Sequence, residues 1–85
     1  MTFVVECLGK FTVTRNMGVA GGVHGTYDED SLADCQRSCL DAIPDCYAVD
    51  YKHGICTMID MDTYNRDKVT RKYGTIHSVY KPCDN

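Results

Sequence analysis

Six cysteines constrain this chain more than any other feature. They are Cys7, Cys35, Cys39, Cys46, Cys56 and Cys83, spaced C-x27-C-x3-C-x6-C-x9-C-x26-C within 85 residues. Structural zinc sites present ligands as two close pairs. Here only Cys35 and Cys39 are close, and His24, His53 and His77 are scattered without partner spacing. Thiol redox centres use C-x-x-C at a helix start, where the dipole lowers the thiol pKa. No C-x-x-C occurs, and acidic residues precede Cys35. An even cysteine count in a short chain instead points to an oxidising compartment and three disulfides.

The rest of the composition explains why staples are needed. Hydrophobic residues make up 44% of the chain, but that share includes the six cysteines and six tyrosines. Phenylalanine occurs only as Phe3 and Phe11, and tryptophan is absent. A chain this short forms one domain, residues 1–85, with a thin stability margin from apolar burial alone. Three bridges at about 2–4 kcal/mol each are comparable to the whole stability of such a domain, about 5–15 kcal/mol.

Residues 3–14 mix β-branched and aromatic side chains around Gly9-Lys10 and predict one or two short strands, the first carrying Cys7. Residues 15–27, RNMGVAGGVHGTY, have four glycines and no period; they predict a long exposed loop with at most a scrap of strand at Val23-His24. One helix is expected over 31–42. Ser31 is its N-cap with Asp34 three residues on, and Asp28, Glu29 and Asp30 lie near the positive end of its dipole. Leu32, Cys35, Cys39 and Ile43 form its apolar stripe, and Pro44 ends it. CYAVDYKHGICTMIDM predicts a hairpin turning at Lys52-His53-Gly54, with Cys46, Ala48 and Asp50 opposite Tyr47, Val49 and Tyr51. The polar DTYNRDKVTRKYG is expected to be irregular or to hold a short helical turn. A last strand follows, with Ile76, Ser78 and Tyr80 facing away from His77, Val79 and Lys81.

Six cysteines allow fifteen pairings. Reach along the chain favours Cys39 with Cys46, the near partner just past the helix, and Cys35 with Cys56 in the returning strand. Cys7 and Cys83 then remain to join the ends.

These motifs together resemble the PAN/apple domain family. The likeness rests on a first Cys in an N-terminal strand, a glycine-containing loop, S-L-x-D-C-x-x-x-C-L, P-x-C-Y-A-V-D-Y, a Cys in the return strand and a last Cys after a final strand. It runs from Phe3 to Cys83. It implies an α+β fold, with a single helix packed on a curved antiparallel β-sheet and three disulfides, Cys35–Cys56, Cys39–Cys46 and Cys7–Cys83. It also implies a secreted, extracellular module without catalytic residues or cofactors, which binds proteins or carbohydrates, including heparin-like glycans and galactosides.

Charge supplies the remaining expectations. Net charge is −3, which disfavours a nucleic-acid partner. From Asp28 to Asp45 there are six acids against Arg37, and from Arg66 to Lys81 five bases against Asp67. The basic stretch, with its tyrosines, is the candidate ligand-binding surface: Arg66, Lys68, Arg71, Lys72, Tyr64 and Tyr73. The glycine-rich segment around Gly21-Gly22 is the other candidate. An alternative use of the opposed charges is head-to-tail self-assembly into a homo-oligomer. Asp60-x-Asp62 with Thr63 and Asn65 hints at a calcium loop but lacks its glycine and final glutamate. No N-x-[ST] sequon occurs. MTFVVEC does not read as a signal peptide, so a secreted form is expected to be mature or excised. No stretch has the ~18–20 apolar residues of a membrane span.

Overall fold

The computed structural model describes residues 5–8, 10–19, 25–66 and 69–80, with backbone alone at 5–8, 63, 65 and 66. The described elements are β1 (Val5–Leu8), β2 (Phe11–Val19), β3 (Gly25–Asp28), α1 (Leu32–Asp41), β4 (Ala48–Lys52), β5 (Ile55–Ile59), α2 (Met61–Arg66) and β6 (Val69–Tyr80). The strands form one antiparallel sheet in the order β1-β2-β6-β4-β5-β3. This is the expected α+β class. No described helix is long and apolar enough to cross a membrane.

Helix α1 forms for local reasons. The Ser31 hydroxyl accepts from the Asp34 amide at 3.2 Å, satisfying one donor that the first turn leaves open. The helix ends at Asp41, where Ala42 and Ile43 turn back onto the carbonyls of Cys39 and Leu40. Ile43 therefore lies past the helix and is 41% exposed, so it does not continue the apolar stripe. The inner face is formed by Leu32, Cys35, Cys39 and Leu40, while Gln36 donates to the Ser78 hydroxyl of β6 at 3.1 Å. Glu29 helps seat the helix from the β3 side, since its carboxylate accepts from the Ser38 hydroxyl.

The hairpin forms as expected, with His53 and Gly54 both at positive φ (50° and 79°), the geometry of a two-residue primed turn. Cys46 precedes the strand and turns to the helix side, whereas Ala48 and Asp50 face away from it. Alternation therefore starts at Ala48, and grouping Cys46 with Ala48 is corrected.

The bridges Cys35–Cys56 and Cys39–Cys46 are present, with Cα separations of 5.4 and 5.2 Å. The expected Cys7–Cys83 bridge lies outside the described side chains. The helix-side core packs Phe11, Val13, Val49 and Met58 around the four bonded cysteines. Phe11 and Tyr80, directly opposite in register, meet edge-to-face at 5.8 Å.

Three expectations are revised. Arg15–Val19 is strand, the outer half of β2, and Gly25–Asp28 pairs on β5 as an edge strand. Residues 20–24, including Gly21, Gly22, Val23 and His24, lie outside the described residues. Val69–Gly74 is also strand, not irregular, and only Met61–Arg66 is helical. These revised strands are paired by neighbours remote in sequence, which local composition does not reveal.

Candidate functional site

The sheet is covered on both faces, and the face away from α1 holds its own core. Val19, Ala48, Ile59 and Val79 are buried there, with Tyr47, Tyr64 and Val69 packed against them. The register explains how. Arg15 opposes Ile76, but the next pair is Met17 with Arg71, so Asn16 alone faces 72–75. Asn16 and Gly74 both take positive φ (61° and 83°), and the Asn16 side-chain carbonyl accepts from the Gly74 amide at 3.0 Å. Such a bulge increases local twist and bends a ribbon. Beyond it, Met17–Val19 and Val69–Arg71 lie over the sheet.

Under this ribbon sits a polar group that the sequence reading did not select. Asp50 and His77 are register partners on β4 and β6, buried to 7% and 3% exposure. Asp50 Oδ1 lies 2.7 Å from His77 Nδ1, and its Oδ2 accepts from the Val19 amide at 2.8 Å. The two side chains are thus joined through the Nδ1 side of the ring. The other ring nitrogen, Nε2, is buried without a hydrogen-bond partner among the described residues. Tyr64 lies parallel to the imidazole at 5.7 Å and meets Tyr47 edge-on at 5.0 Å. Burial pushes the Tyr64 hydroxyl above its ordinary value, and Tyr47 and Asp50 act in the same direction. Gly18 is required here, because a Cβ would lie 2.9 Å from both Asp50 Oδ2 and Lys72 Cδ. Sealed at this depth, the Asp–His pair presents no surface to a substrate. Its visible work is to join three strands.

The sequence-selected basic and aromatic residues are divided by the fold. Lys72 runs beside Gly18 and donates from Nζ to the Val19 carbonyl at 2.8 Å. Tyr64 belongs to the outer-face core. Arg71 and Tyr73 remain together on the surface. The Arg71 guanidinium donates to the Tyr73 hydroxyl at 3.1 Å and lies 5.7 Å over its ring. Tyr73 is 70% exposed. Lys52, absent from the sequence selection, runs beside Gly74, within 3.5 Å of where a Cβ would stand. Arg66 is described in backbone alone, and Lys68 lies outside the described residues.

The acidic side contains an open depression of about 240 Å³ lined by Pro44, Asp45, Asp60, Met61 and Asp62. The calcium-like Asp60–Asn65 segment is taken up by α2, whose first turn closes as the Asp60 carbonyl accepts from the Tyr64 amide. Among the described residues no group of three or more His, Cys, Asp or Glu is arranged to hold a metal ion.

An edge-to-centre antiparallel sheet stapled twice to one helix defines a small disulfide-bonded α+β domain with a basic–aromatic surface pair. No family model, curated protein or solved structure matches the chain.

Proposed function

We propose that this is an extracellular, non-catalytic binding module of the PAN/apple kind, and that Arg71 and Tyr73, with Lys52 alongside, take an acidic glycan. The observation that carries the reading is the exposure of Tyr73 with a guanidinium held over its ring. A large aromatic left in water has an open face for a sugar ring. Arg71 keeps donors beyond the one on Tyr73 for a sulfate or carboxylate, and its fork geometry suits both. The bridges from the helix to β5 and to the segment ahead of β4 support the family resemblance and an oxidising compartment.

The test is calorimetric titration with a sulfated hexasaccharide and its desulfated counterpart. Binding is expected only for the sulfated form, weakening as salt rises from 0.05 to 0.3 M, where screening shortens below ~10 Å. Arg71→Ala and Tyr73→Ala should each weaken it about tenfold with the circular dichroism spectrum unchanged. No binding by the native protein to sulfated or sialylated glycans would move the reading to a protein partner.

One observation favours a second reading. The acidic depression carries three carboxylates, and exposed Met61 and Ile43 lie at or beside it. It is complementary to Arg71–Tyr73 and would allow a head-to-tail contact between copies. Light scattering decides this: a monomer at both low and high salt excludes assembly.

A further inference from the structure

We infer that the tip of the β2–β6 ribbon is a strap, which opens independently of the disulfide-bonded layer and uncovers His77 Nε2. Four independent observations lead to it. First, the ladder joining the ribbon to the sheet is interrupted at Asn16, which faces four residues of β6 across positive-φ positions. A hinge needs such a place, where a few residues absorb the change in backbone angles. Second, two polar contacts of the tip converge on one residue. The Val19 amide donates to Asp50, and the Val19 carbonyl accepts from Lys72. Third, both described disulfides lie on the other face of the sheet, so neither restrains the tip.

The fourth observation gives the strap its purpose. His77 Nε2 is buried with no hydrogen-bond partner among the described residues. A buried polar atom in that state carries a desolvation penalty, which native proteins seldom leave uncompensated. Tyr64 stacks on the imidazole, and Val19 and Val69 pack in the same core, so raising the strap loosens this cover and lets water or a bound donor reach the nitrogen. The closed state therefore contains an interaction that only the open state can satisfy. Lys72 follows the same logic. Its side chain is exposed while its Cδ runs beside Gly18, so release requires no charge to cross the core.

Native-state hydrogen exchange tests the strap, together with carbethoxylation of His77 followed by mass spectrometry. The amides of Met17–Val19 and Val69–Arg71 should exchange as a group, at least ~100-fold faster than the slowest central-strand amides. His77 should be modified at a rate tracking that group. Gly18→Ala places a methyl against Asp50 and Lys72, and should speed both readouts ~10-fold or more without changing the central strands. Lys72→Met keeps the stem, removes one contact and should act in the same direction. If Gly18→Ala does not fold, the native ratio still decides. Strap amides and His77 that react only as fast as the central strands exchange would overturn the inference, because the tip would then open only with the whole domain. Neither readout involves a glycan, so the outcome is separable from that of the Arg71–Tyr73 titration.

Discussion

Asp50 is where the outer face converges. Its two oxygens serve His77 and Val19, on two other strands, and its position leaves no room for a side chain at residue 18. Removing the carboxylate leaves a buried imidazole and a buried amide unpaired, which is the expensive way to break such a group. Asp50→Ala should lower stability by about 2–4 kcal/mol, a Tm drop of roughly 10–20 °C for a chain of this length. Asp50→Asn keeps the shape and one acceptor, and should have a smaller effect. Thermal denaturation of both variants checks this, and equal Tm values in Asp50→Ala and the native protein would refute it. Tyr64 adds a pH dependence at the alkaline end. Its folded pKa is raised, so the folded state holds the proton longer than the unfolded chain does. That contribution is fully present below the unfolded value near 10 and is lost as pH rises through the folded value. Urea denaturation between pH 9 and 11 should show stability falling, with a shallower fall in Tyr64→Phe. Neither Asp50 nor His77 stood out in the sequence: alternation set His77 apart from Ile76 and Ser78, but grouping Asp50 with Cys46 left its side of the sheet misassigned. The alternation does not show that a face is covered, and the cover comes from residues 31 positions away.

Among the elements, α1 was the most legible. A cap, an apolar face and a proline lie within fourteen consecutive positions, and each acts through neighbours in the chain. Ser31→Ala should therefore reduce stability by about 1 kcal/mol without altering either disulfide, as measured by urea denaturation and peptide mapping. The hairpin was legible for the same reason, since its turn needs only two residues. The outer half of β2 and the start of β6 were not. RNMGV and VTRKYG have little period of their own, and each is a strand only because the other lies beside it. The candidate site was split by this same error. With Asp62–Gly74 taken as irregular or a short helical turn, nothing separated Arg71 from Lys72, whereas in the ribbon Arg71 meets Tyr73 and Lys72 reaches the Val19 carbonyl. Lys52 of β4 comes beside Gly74, next in the chain to Tyr73, which spacing along the chain does not show.

Across the molecule, the two bridges differ in what they constrain. Cys35–Cys56 closes a span of 21 residues and Cys39–Cys46 one of 7. On chain-entropy grounds the first should contribute about 3 kcal/mol and the second about 2 kcal/mol. Replacing each pair by alanine should show that order in urea denaturation, and a greater loss from the shorter loop would mean that packing dominates. The pairing itself was legible because the reach of a short chain leaves few options. The two-layered core was not, since 44% hydrophobic content does not say how many faces it is divided between.

The placement of both bridges on the helix side has a practical consequence for anyone rebuilding this domain. The two described bridges meet on one flank, and recognition chemistry can be varied on the other without touching them. A library that randomises positions 52, 71 and 73 while keeping Gly18, Asp50, Lys72 and the cysteines would leave the oxidised framework untouched. The domain would then serve as a display scaffold whose variants differ in what they capture and share one route to the folded state.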